Sequence, residues 1–159
     1  MNTPASRIHK ALPEDEPSVL ALVERLVAFG PPPWRDPQQM VRIDRQRIAR
    51  ALRSAGDDPL VLVVTVEDTM AGFVHLHSLT DHYNESPHGH VSDLVVAPGL
   101  EGMGIGRQLL DAARNWAIAN RFGWLTISVF EENDRALALY ERAGFKRDML
   151  RLVQPLPSR

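Results

Sequence analysis

The chain contains no cysteine. That one absence excludes disulfides, thiolate metal sites, a cysteine nucleophile and any acyl-cysteine intermediate. No apolar run reaches membrane-spanning length, and Met1 to Lys10 lacks the apolar core of an export signal. A cytoplasmic protein is the expectation that follows. A dominant charge is missing too. The 18 basic and 20 acidic residues leave a net charge of −2, which gives no electrostatic argument for nucleic acid or an anionic membrane as partner. No repeat, linker or low-complexity tract divides the chain. What remains is 159 residues at 44% hydrophobic content, read as a single domain over 1–159 with a core of its own.

The most informative stretch runs strand, glycine turn, helix. Val91 to Val96 has the β-branched character of a buried strand. Pro98 and Gly99 end it, because proline lacks a ladder donor and glycine admits positive φ. Gly102, Gly104 and Gly106 follow at alternate positions, and Ile105, Leu109, Ala112, Ala113 and Trp116 form one apolar helical stripe. Glycines without Cβ let a ligand lie against the backbone. N–H groups at the first turn of a helix then face it, where the dipole favours negative charge. Such a turn suits a pyrophosphate; a tight turn without a ligand needs fewer glycines. A P-loop requires Gly-Lys-Ser/Thr, and here Arg107 and Gln108 follow Gly106. A dinucleotide turn requires an acidic residue about 20 positions on, and Trp124 to Ile127 offers none.

A second segment, Asn133 to Phe145, reads Asn-x-x-Ala-x-x-x-Tyr-x-x-x-Gly-Phe. Asn133 is a good N-cap and Gly144 a good C-terminal cap, with Phe145 packing back on the last turn. The two segments together resemble the GNAT superfamily of acyl-CoA-dependent N-acyltransferases, whose turn is Arg/Gln-x-x-Gly-x-Gly/Ala. Gly104 and Gly106 fill its glycine positions, whereas Glu101 stands where the motif has Arg or Gln. A carboxylate beside a pyrophosphate is unfavourable unless it faces solvent or pairs with an arginine such as Arg107. The element order fits residues 6 to about 153.

Along the chain, Ser6 to Leu12 reads as a strand, and Pro13 to Pro17 opens a helix with Val19, Leu22, Val23 and Leu26 as its stripe. Gly30 to Pro33 stops it, and Asp36-Pro37 opens a second helix ending at 55–59. Strands follow over Leu60–Val66, Met70–Leu79 and His88–Val96, then Leu125–Phe130 and Met149–Val153. The resulting fold class is α/β, a mixed and mostly antiparallel central sheet flanked by about four helices in the order β-α-α-β-β-β-α-β-α-β. A fully paired ladder leaves no room for a cofactor, so a bulge or splay near Val95-Val96 is expected.

The resemblance implies an N-acetyltransferase that moves an acetyl group from acetyl-CoA to a primary amine by direct attack in a ternary complex. It implies that Tyr140 protonates the departing thiolate. The residues assigned to the cofactor are Leu94, Val95, Val96, Gly102, Met103, Gly104, Ile105, Gly106, Arg107, Asn133, Ala136 and Tyr140. The oxyanion donor is the N–H of Val95 or Val96, and the candidates for general base are Asp93, the strand histidines and a water-relayed proton. Acceptor contacts are assigned to Trp34, His77, Tyr83 and His90. Five of the six histidines fall between 75 and 90, and a hairpin centred near Tyr83 and Asn84 makes His77 and His90 cross-strand neighbours. No carboxylate spacing fixes a metal among them, and none is expected. The acceptor is a small amine or a peptide amine, and a homodimer is implied, with Met149–Val153 a candidate for edge pairing. The alternative is a non-catalytic CoA-binding or regulatory domain of the same fold.

Overall fold

A computed structural model describes residues 5–158. Five strands form one sheet in chain order: β1 (Ser6–Lys10), β2 (Leu60–Val66), β3 (Thr69–Thr80), β4 (Pro87–Val96) and β5 (Leu125–Ile127). The first four pair antiparallel, and β5 joins β4 in parallel. The helices are α1 (Glu16–Ala21), α2 (Pro37–Leu52), α3 (Ile105–Ala119) and α4 (Asp134–Arg142).

Each face of the sheet carries its own core. Leu76, Val74 and Val91 pack under Leu109, Ala113 and Trp116 of α3, while Val61, Val63, Phe73 and Val95 pack under Val19, Val23 and Ile48. Burying one such side chain contributes about 1.5–3 kcal/mol. Asp36 caps α2 by accepting from the Gln38 N–H at 2.9 Å.

The expected first helix is broken. Its α-helical part spans only Glu16–Ala21, and 3-10 turns occupy Pro13–Asp15 and Val23–Val27. The i→i+3 bonds from Leu22 to Val19 (3.0 Å) and from Arg25 to Leu22 (3.1 Å) tighten the winding while Val19 and Val23 stay buried.

Two strand expectations need correction. β5 stops at Ile127 rather than Phe130, because β4 pairs with it only over Gly89–Val91. Residues 149–153 form no strand; Met149, Leu150 and Leu152 are exposed, without a ladder partner among the described residues.

The local break that shapes the molecule lies in β4. Val91 pairs with Leu76 and Asp93 with His75, so Ser92 is an extra, unpaired residue. The bulge reverses side-chain alternation: Val91 belongs to the α3 face and Val95 to the α2 face, although they are four residues apart. Asp93, two residues before Val95, therefore shares the face of Val95 and not that of Val91. Past the bulge β4 parts from β5.

Gly72 of β3 lies where a Cβ would collide with the Val95 carbonyl oxygen. Because the obstacle is backbone, Gly72→Ala is expected to lower stability by about 1–3 kcal/mol in urea denaturation.

Candidate active site

Where β4 and β5 diverge, the chain leaves a cleft of about 530 Å³. Leu94, Val95 and Val96 line it on one side, Ser128, Val129 and Phe130 on the other, and Gly102, Gly104, Gly106 and Arg107 at the turn. The cleft also takes in Asn133, Ala136 and Tyr140 of the closing segment.

Main-chain direction along β4 follows from two bonds. Ala97 N–H donates to Ala71 of β3 at 2.8 Å, and the Val96 carbonyl accepts from Arg25 Nε at 2.8 Å on the opposite side. Antiparallel alternation then turns the polar groups of Val96 and Leu94 to the open edge. Those of Val95 face β3, in keeping with its carbonyl crowding Gly72. Of the two residues named as oxyanion donors, Val96 has an N–H turned toward the cleft and Val95 does not.

The three glycines of the turn do different work. Gly102 and Gly104 sit at φ +79° and +84°, left-handed values that a Cβ disfavours. Gly106 is helical, and a Cβ there would lie 2.9 Å from Leu139 Cδ2, so it permits the close approach of α4. Gly104 caps α3 with no side-chain acceptor, and the first helical bond runs from Gln108 N–H to the Gly104 carbonyl at 3.0 Å. The N–H groups of Ile105, Gly106 and Arg107 precede that bond and lack intrahelical partners. Met103 is exposed, whereas the Ile105 side chain is buried in the α3 core and leaves only its main chain for this turn.

Glu101 is resolved by a partner the sequence does not suggest. Arg25, from the 3-10 turn after α1, forms an ion pair with it, and Glu101 also accepts from Gly99 N–H at 2.8 Å. Hydrogen bonds from its own and the Gly99 backbone, with Arg25 nearby, hold its carboxyl below the usual range. Arg107, the expected partner, instead pairs with Asp111 at 3.1 Å and donates to the Arg142 carbonyl at 3.3 Å.

Tyr140 is fixed by the end of its own helix. Phe145 N–H donates to the Tyr140 carbonyl at 3.0 Å, Gly144 N–H to that of Glu141 at 3.1 Å, and Gly144 has φ +99°. This is a Schellman motif, whose apolar contact is here the Tyr140 and Phe145 rings at 6.1 Å. At the other end Asn133 Oδ1 accepts from Ala136 N–H at 3.2 Å. Burial, with Asp93 nearby, pushes the Tyr140 phenol up to about 12.

The end of the cleft beneath α2 is polar. Asp93 lines it, and His75 Nδ1 lies 2.8 Å from Asp93 Oδ2, both side chains being about 5% exposed. Arg47 donates to Ser92 Oγ at 2.7 Å and to Asp44 at 3.0 Å. Burial and the Asp93 charge raise the Asp44 carboxyl. Asp44, Met40, Arg25 and Phe29 line the cleft, and the sequence reading assigned none of them a site role. The signal for Asp44 is its place at i+4 from Met40, on the stripe that α2 turns inward.

The four residues assigned to the acceptor do not line this cleft. Tyr83 is 82% exposed in the β3–β4 hairpin, at the opposite end of a ten-residue strand from the glycine turn. Trp34 lies on the surface beside Arg35, whose guanidinium covers Phe130 at 5.3 Å. His77 and His90 do pair across β3 and β4, with rings 5.3 Å apart. His77 is also 5.8 Å from His75, which places the pair behind the dyad. Among the described residues no group of three or more His, Asp or Glu is placed to hold a metal.

His90 gives a pH test of this packing. Burial, reinforced by His77 and His88, pushes it from 6.5 down to about 4. As pH falls the unfolded chain takes this proton first. Stability present above about pH 6.5 is therefore lost progressively toward pH 4. Urea midpoints measured between those limits are expected to fall more steeply for the parent than for His90→Asn.

Comparison with known proteins gives a consistent result. Residues 20–145 match the family described as Acetyltransferase (GNAT) family. The chain is 38% identical over 92 residues to mycothiol acetyltransferase of Propionibacterium freudenreichii, covering 55% of this chain and 28% of that protein. It is 32% identical over 88 residues to the peptidyl-lysine N-acetyltransferase YjaB of Salmonella typhimurium, covering 55% and 50%. The match thus spans half or less of either relative's length. The fold is similar to that of the aminoglycoside N-acetyltransferase AAC(6')-Iy in complex with CoA, with TM-score 0.73, 16% identity and coverage of 96% and 95%. The glycine turn, the parted strands and the capped closing helix accordingly stand in a chain that belongs to the GNAT acetyltransferase family.

Proposed function

We propose that this chain is an N-acetyltransferase that transfers an acetyl group from acetyl-CoA to a primary amine by direct attack. One observation carries the reading. The unpartnered N–H groups at the start of α3, the open edge of β4 and the Tyr140 phenol all border one cleft. These features fit the ligand's parts: N–H groups and Arg107 for a diphosphate, the Leu94 and Val96 edge for an amide-rich arm, and Tyr140 for the sulfur end. Asn133 and Ala136 border the same groove. Acetyl-CoA supplies an activated acyl carbon and a thiolate leaving group.

The chain's own groups then manage protons and charge. Asp93 takes one proton from an incoming ammonium, freeing the nitrogen lone pair. The Val96 N–H donates to the acyl oxygen as it gains charge. As the N–C bond forms and the C–S bond breaks, the electron pair leaves on sulfur and Tyr140 donates its phenolic proton there. The nitrogen's second proton returns the phenol to its neutral form. The net release is one proton per amide made. A phenol raised to about 12 is fully protonated at neutral pH and ready to donate.

The acceptor end carries Asp44 and Asp93, which suits an amine that arrives as a cation. Acceptors of the kinds named for the relatives, lysine side chains and aminoglycosides, are primary amines of this class. His77 and His90 are assigned a supporting role around Asp93; both are held below the usual imidazole range, chiefly by burial. The exposed segment 149–153 supports association of two copies by edge pairing, as a homodimer.

Thiol release with acetyl-CoA and an amine panel tests the reading. Tyr140→Phe is expected to lower kcat by about 100-fold or more while coenzyme A still binds. Binding without turnover on any acceptor would support the non-catalytic alternative, and Tyr140→Phe at full rate would remove the phenol from the mechanism.

A further inference from the structure

Resting on that reading, the geometry points to His75 as the residue that positions Asp93 to act on the amine. The two are register partners on β3 and β4, brought opposite each other by the Ser92 bulge. His75 itself does not line the cleft; Asp93 does. An ionised carboxylate only accepts, so the 2.8 Å contact is a donation from His75 Nδ1–H to Asp93 Oδ2. That bond engages Oδ2, and among the described residues no other side chain bonds to the carboxylate that lines the cleft.

Without such a donor, the buried carboxylate would be free to rotate and to take a proton of its own. The groups around the dyad are mixed in sign. Asp44 and Arg47 face it from α2, and Arg47 is shared between Asp44 and Ser92. His77 lies beside it on β3, His90 on β4 and Tyr140 on α4. Asp58, ahead of β2, acts on His77. None of these bonds to Asp93, so His75 is its one hydrogen-bonding side chain among the described residues.

The test pairs two substitutions that differ in where they present a donor. Asparagine places an N–H close to the Nδ1 position; phenylalanine keeps the volume and removes the donor. His75→Phe is expected to lower kcat by about tenfold or more, with KM for acetyl-CoA within about twofold, and to move the acid limb of the kcat/KM profile upward. His75→Asn is expected to recover kcat to within a few fold and to restore the acid limb. If His75→Phe fails to fold, His75→Gln replaces it. Glutamine presents its donor near the Nε2 position, and its activity should fall well below that of His75→Asn. Equal activity of the substituted proteins, or an acid limb that does not move, overturns the proposal. In ¹⁵N spectra of the parent at pH 7, His75 should be the Nδ1–H tautomer; an Nε2–H tautomer also overturns it. Asp93→Asn at parental activity would instead strike the base assignment, and the inference with it.

Discussion

A β-strand that loses its neighbour keeps a row of donors and acceptors that must find other partners. In this chain that condition holds along β4 past Ser92, where pairing with β5 has ended. One turn later it holds again, at the start of α3, whose first N–H groups have neither an intrahelical acceptor nor a side-chain cap. Both sets of unpaired groups face the same cleft. Folding satisfies them only in part, through Arg25 on the Val96 carbonyl. A ligand with amides along its length and phosphates near one end would complete them, and the rest of the molecule is arranged to keep that space open. Gly72 lets β3 close on the other side of β4, Gly106 lets α4 approach α3, and the Schellman end of α4 holds Tyr140 at the border.

The bulge links this opening to the chemistry. A one-residue insertion at Ser92 brings Asp93 opposite His75 and turns it to the side of α2, where Asp44 and Arg47 lie. The same displacement ends the pairing with β5. The strand therefore gains its ionisable group and its open edge from a single irregularity, which is why bulges sit so often beside active sites.

Much of this could be read from the chain itself, wherever short-range rules decide. The glycine turn and the caps at Asp36, Asn133 and Gly144 depend on residues a few positions apart, and each occupies its expected place. The His77–His90 pair was legible because hairpin register fixes cross-strand partners. Long-range pairing was not legible. Arg25 meets Glu101 across 76 positions. A bulge or splay is expected near Val95-Val96, but nothing in the run Val91 to Val96 marks Ser92 as the inserted residue, nor which of Val95 and Val96 turns its N–H to the cleft. The segment 149–153 has the apolar character of a strand, but a strand also needs a partner edge, and β5 is only three residues long.

The most direct measurement is an amide-resolved NMR titration with coenzyme A. Saturable shifts confined to the N–H groups of Gly104 to Arg107, with Leu94 and Val96 following and Val95 much less affected, are the predicted result. A titration in which those amides stay still while coenzyme A binds elsewhere, or does not bind, would contradict the account.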